Sequence, residues 1–177
     1  PEATAALERA FGAWPGRGPR AAAAPIPAAP QLKQREIVIV DKPGAAQSQI
    51  RIGWVGVPRS TPDYATLQVL NTILGGYFGS RLMANIREEK GYTYNIYSSH
   101  EAMLFGGYFY VGTEVGNEFI EPTIREIYKE MERLQTELVE TDELAMVKNY
   151  LLGTLLTNLD GPFNIAEVVK TFVTESV

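Results

Sequence analysis

Residues Gly75–Tyr94 read GGYFGSRLMANIREEKGYTY. Gly75 and Gly76 end one apolar helix, because two glycines in succession remove both side-chain packing and backbone restraint. A second, mixed helix begins at Gly79 or Ser80, with Leu82, Met83 and Ile86 facing inward, and it carries Arg81 and Arg87. Lys90-Gly91 then turns the chain into a strand that opens with Tyr92 and Tyr94. Arg87 and Tyr94 therefore flank one helix-to-strand turn, which can aim a fixed positive charge and a phenol at one place.

Upstream of that turn, Leu67, Leu70, Ile73 and Leu74 share one face at helical spacing, and Asp63 is placed to cap their helix. Before it stand two strands. Glu36–Val40 (EIVIV) is rich in β-branched residues, and in Gln49–Val57 the side chains Ile50, Ile52 and Trp54 alternate with Gln49, Arg51 and Gly53. Downstream, Thr93–Ser99 and Gly107–Thr113 read as strands, joined by a segment, His100–Gly106, expected to extend past the sheet. Three helical stripes follow. They are Ile120, Ile124, Ile127, Met131 and Leu134 behind an Asn117 cap; Leu144, Val147, Leu151 and Leu155 behind a Thr141 cap; and Ile165, Val168, Val169 and Phe172 after Gly161-Pro162. The order β-β-α(α)-β-β-α-α-α implies an α+β fold: a two-layer sandwich of a mostly antiparallel sheet with helices on one face.

The flanks set the domain boundaries. Residues 1–12 read as the tail of a preceding domain, with Leu7 and Phe11 on one helix face. Residues 13–30 hold prolines at positions 15, 19, 25, 27 and 30 among alanines, the composition of a semi-stiff linker. Residues 31–177 form the main domain, expected to be truncated at its C-terminus.

Composition removes several functions. The 177 residues are 45% hydrophobic and 21% charged, enough for a packed core. A net charge of −5 argues against a nucleic-acid partner, which needs a basic stripe. No apolar run is long enough to span a bilayer. There is no cysteine and one histidine, His100. A catalytic zinc takes three protein ligands, usually with at least two nitrogen or sulfur donors, so no self-contained metal site is expected.

Each remaining motif has a bland reading. His100 precedes Glu101 but has no second histidine one turn on, and it reads as a surface residue at a strand end. Gly75, Gly76 and Gly79 follow a helix and lack the phosphate-loop spacing, so they read as a break that permits close packing. Glu88 and Glu89 point about 100° apart on a helix and read as a solvated face. Arg87 and Tyr94 stay open between two readings. One is structural, a carbonyl-capping arginine and a packing tyrosine; the other is a site, with a guanidinium fork and a phenol donor.

Over most of residues 31–177, and centred on LQVLNTILGGYFGSRLMANIREEKGYTYNIYS, the sequence closely resembles the pitrilysin (insulinase, mitochondrial-processing-peptidase) family of zinc metallopeptidases. DKPGAAQSQIRIG, FIEPTIREIYKEMERLQTELVETDELAMVKNYLLGTLL and ALERAFGAWPG are similar to flanking parts of that family. Members pair a domain bearing an HxxEH zinc motif with a second domain that lacks zinc but offers an arginine and a tyrosine six residues apart. Arg87-x6-Tyr94 fits that spacing, and no HxxEH is present. The resemblance implies the second, non-zinc domain, with Arg87 and Tyr94 as auxiliary catalytic residues that contact substrate and oxyanion. It implies zinc in the full protein or in a partner domain and none in this fragment. It also implies a peptide substrate, a zinc-bearing domain of the same chain or of a partner subunit, and a dimeric assembly. Two alternatives accompany it: a non-catalytic scaffold or partner subunit of a two-chain processing peptidase, and a peptide-binding module acting through a sheet edge.

Overall fold

A computed structural model describes residues 2–14, 27, 30 and 33–175. Helix α1 (Glu2–Phe11) precedes the main body and buries none of its residues. Most of the predicted 13–30 linker lies outside the described residues.

The body is α+β. Strands β1 (Gln47–Gly56), β2 (Ile96–Met103) and β3 (Gly106–Gly116) form an antiparallel sheet in the order β1-β3-β2. The period-two pattern decides which side is covered. Ile50 and Ile52 of β1 and Phe109, Val111 and Val115 of β3 face the helices, whereas Gln49, Arg51, Tyr108, Tyr110 and Glu114 face away. The core joins Phe109 and Val111, with Ile52 packed against them, to Leu74, Leu82, Met83, Ile86, Ile96 and Ile127. Leu82 and Ile86 are completely buried, each contributing about 1.5–3 kcal/mol of burial free energy.

Helix α2 (Tyr64–Asn71) widens at its end into a π-helical turn, Thr72–Gly76. A second π-helical stretch, Met83–Glu89, carries Arg87. Helices α3 (Ile120–Thr136), α4 (Thr141–Asn158) and α5 (Pro162–Glu175) follow, with Gly161 at φ +82° making the turn between the last two. Of the stripes read for α4 and α5, Val147 is buried, while Leu155, Ile165, Val169 and Phe172 are exposed.

Five local expectations are corrected. Glu36–Val40 forms no strand, and Ile37, Val38, Ile39 and Val40 are 75–86% exposed. β-Branched propensity favours a strand only when a ladder partner lies alongside, and none does among the described residues. His100–Gly106 does not run past the sheet, because β2 continues to Met103 and only Leu104-Phe105 separate it from β3. Tyr92 and Tyr94 precede β2 rather than open it. His100 lies within β2 opposite Phe109, half-buried, its Nδ1 lying 3.4 Å from the Gln68 amide nitrogen. The caps also differ. No side-chain bond from Asp63 closes α2, Thr141 is already helical, and Asn117 opens a 3-10 turn while its amide donates to the Ala45 carbonyl at 2.9 Å.

Gly75 does permit close packing. A Cβ there would sit 2.5 Å from the Ser98 amide nitrogen and 2.7 Å from its hydroxyl oxygen. That hydroxyl donates to the Asn71 side-chain oxygen at 2.8 Å, tying the helix end to β2. Gly75→Ala in the full-length protein is therefore expected to cost about 1–3 kcal/mol, as overpacking does. Calorimetry should show a lower unfolding midpoint, and an unchanged midpoint would contradict the contact.

Candidate functional site

The helix that carries Arg87 is held from three sides. Beneath it, Leu82 and Ile86 enter the core. On the α3 side, the Asn85 amide donates to Glu130 at 2.6 Å and to Glu126 at 3.0 Å, while Lys90 Nζ donates to the Asn85 side-chain oxygen at 2.7 Å. Glu130 is only 2% exposed, and Arg133 donates to it at 3.0 Å, so this buried carboxylate has both an amide and a cation as partners. Hydrogen bonding from Asn85, then the charges of Lys90 and Lys129, holds the Glu126 carboxyl below its ordinary range. On the α4 side, Arg81 grips Glu143 in a two-point fork at 2.8 and 2.7 Å. Arg81 is thus structural, while Arg87 pairs with no carboxylate among the described residues.

The turn after this helix places Tyr94. Gly91 sits at φ +66°, a left-handed conformation that glycine adopts without a Cβ clash, and its amide donates to the Arg87 carbonyl at 3.1 Å. The Tyr92 amide returns to the Ile86 carbonyl at 3.0 Å. From there the chain is pinned to the sheet. Tyr92 stacks on Phe119 with centroids 4.8 Å apart, Thr93 donates to the Glu114 carbonyl at 2.6 Å, and Thr113 donates to the Asn95 carbonyl at 2.9 Å. With the backbone tied to the sheet on either side, Tyr94 points outward and is 87% exposed.

Arg87 and Tyr94 do meet. The guanidinium carbon lies 5.4 Å from the Tyr94 ring centroid and 4.6 Å from that of Phe78. Both rings are exposed, and the cation lies against each of them. This stacking orients the guanidinium without using its hydrogen-bond donors. Phe78 is a member of this stack that sequence reasoning missed. Its only signal was an aromatic residue set among the glycines of the helix break, off any apolar stripe.

The outer sheet face adds a second constellation next to Tyr94. Arg51 donates to the Tyr97 hydroxyl at 3.1 Å and lies over the Tyr110 ring at 4.9 Å. Hydrogen bonding to Tyr110, helped by Arg51, holds the Tyr97 phenol below its ordinary value. Among the described residues no group of three or more His, Cys, Asp or Glu side chains could hold a metal ion, and no helix is long and apolar enough to cross a membrane. The donor set here does not fit zinc, since the lone imidazole engages Gln68 and not a cluster of ligands.

The family model for the peptidase M16 inactive domain matches residues 1–151, and the chain belongs to that family. It is 27% identical over 114 residues to the "Uncharacterized zinc protease YmxG" of Bacillus subtilis, covering 64% of this chain and 28% of that protein. It is 25% identical over 132 residues to the "Probable inactive metalloprotease YmfF" of the same organism, covering 73% of this chain and 30% of that protein. The crystal structure of a peptidase M16 inactive domain from Pseudomonas fluorescens superposes with a TM-score of 0.68 at 27% identity, covering 75% of this chain and 32% of that one. The chain thus spans about a third or less of these relatives' own lengths.

The Arg81–Glu143 fork supports a pH test. Hydrogen bonding from Arg81 holds the Glu143 carboxyl below its ordinary value near 4.5. A carboxylate lowered by folding stabilises the protein fully above that ordinary value and loses its contribution as pH falls through the lowered one. Glu143→Gln in the full-length protein is expected to lower the unfolding midpoint at pH 7, and the gap to the unmutated protein should narrow below pH 4.5. Melting curves taken across acid pH check this, and a gap that persists undiminished would contradict it.

Proposed function

We propose that this domain holds an extended peptide substrate for hydrolysis in a larger protein, with Arg87 and Tyr94 as its contacts to the peptide backbone. The supporting observation is the stacked arginine itself: Arg87 is fixed against Phe78 and Tyr94, with no carboxylate partner among the described residues. A guanidinium in that state can donate to a peptide carbonyl without first breaking an ion pair. Negative charge develops on that carbonyl oxygen during hydrolysis. A fixed cation and a phenol donor oriented beforehand stabilise it more than they stabilise the neutral carbonyl, which is what lowers the barrier.

These residues cannot generate a nucleophile. A guanidinium donates and has no acceptor site, and no histidine or carboxylate lies in the stack to accept a proton from water. Hydrolysis therefore needs a nucleophile from elsewhere, which in this reading a zinc-bearing domain of the same chain or of a partner subunit supplies. A second reading, a non-catalytic partner subunit, is favoured by one relative's description as a probable inactive metalloprotease. Both readings keep the grip on peptide and differ in turnover.

In the full-length protein, Arg87→Ala is expected to reduce kcat/KM for peptide cleavage by about 100- to 1,000-fold if it serves as an oxyanion donor, on the order of 2.7–4 kcal/mol. Tyr94→Phe is expected to reduce it less, and zinc content should stay constant in both. Kinetic assays with parallel metal analysis check this, and normal cleavage by both variants would reduce the pair to a structural corner.

A further inference from the structure

The hollow beside Tyr94 continues onto the open face of the sheet. It encloses about 340 Å³, and its lining includes Gln49, Arg51, Thr93, Tyr94, Tyr97 and Glu114. Register explains how Arg51 and Tyr97 come together there. Both stand opposite Gly112, Arg51 from β1 and Tyr97 from β2. With no side chain between them, they reach across the central strand and touch. A Cβ on Gly112 would lie 3.1 Å from the Tyr97 hydroxyl and 3.3 Å from the Arg51 guanidinium nitrogen, tighter than most such contacts. The glycine is therefore the floor of the pair.

Arg51 resembles Arg87 in its chemistry. A phenol hydrogen bond and an aromatic face orient it, and none of the described carboxylates pairs with it. Glu114, the acidic group in the same hollow, receives the Gln49 amide at 3.3 Å. One nitrogen of Arg51 is engaged by Tyr97 and the Tyr110 ring lies beside the guanidinium, while the residue as a whole is exposed. A planar fork held this way matches a carboxylate, whereas a flexible lysine would have to be ordered on binding.

We infer that Arg51, oriented by Tyr97 over Gly112, is a specificity subsite that receives a carboxylate of the peptide held by Arg87 and Tyr94. This rests on the peptide-gripping role proposed above. A carboxylate on such a peptide comes from an aspartate or glutamate side chain or from the C-terminus, and the fork accepts either.

The test measures equilibrium binding to the full-length protein, with the metal chelated so that nothing is cleaved. Fluorescent peptides carry glutamate or glutamine at successive positions, each made with a free and an amidated C-terminus. The unmutated protein is expected to favour a carboxylate at one position by about fivefold, less at high salt. Arg51→Gln should bring that ratio to about one, and Arg51→Lys should retain only part of it. Loss of the preference on amidation alone assigns the C-terminus; loss on Glu-to-Gln exchange assigns a side chain. Equal binding of acidic and amide peptides, or a preference unmoved by Arg51→Gln, overturns the subsite. If peptides bind and Arg87→Ala weakens them while Arg51→Gln changes nothing, only the subsite falls. If no peptide binds at all, the gripping role falls with it.

Discussion

The anchoring of one short helix underlies the candidate site. Met83–Glu89 is fixed by Leu82 and Ile86 in the core, by Asn85 on the buried Glu130 and by Arg81 on Glu143. Its carbonyl ladder is wide, as the Lys90 amide bonding back to Asn85 shows. π-Helical turns cost packing and hydrogen-bond geometry, persist where the surroundings over-determine them, and often lie at functional sites. Here the wide turn and Gly91 together set where Tyr94 returns relative to Arg87. Loosening Asn85 or Arg81 would move both members of the pair without touching either.

The inner and outer faces of the sheet divide the labour. The inner face is apolar and bonded to the helices, so its side chains cannot move without opening the core. The outer face is polar and aromatic and carries Arg51, while Arg87 stands on the helix Met83–Glu89 against Tyr94, and rings orient both arginines. Aromatic contacts hold a guanidinium without consuming its donors, whereas a carboxylate partner would hold it and neutralise it. The contrast with Arg81, committed to Glu143, shows both uses of arginine within one small domain.

Much of this was legible beforehand, and the rest was hidden for definite reasons. The alternation through Ile50, Ile52 and Trp54 and the stripe through Leu82 and Ile86 gave the layers, because burial imposes periods of two and 3.6. Arg87 and Tyr94 could be paired because a single turn separates them. EIVIV misled, since propensity is local while a ladder partner is not. The extension of β2 through His100-Glu101-Ala102-Met103 was missed because those residues have little strand preference and follow the register of β3. Phe78 lacked any periodic signal. Arg51 and Tyr97 lie far apart in sequence, and only the register across Gly112 brings them together.

The most direct measurement is a crystal structure of the full-length protein with a non-hydrolysable extended peptide bound. The expected result is a peptide lying across the outer sheet face, one backbone carbonyl within hydrogen-bond reach of the Arg87 guanidinium or the Tyr94 hydroxyl, and the Phe78–Arg87–Tyr94 stack intact. A peptide bound away from this face, with Arg87 and Tyr94 still turned to solvent, would contradict the proposed role of the domain.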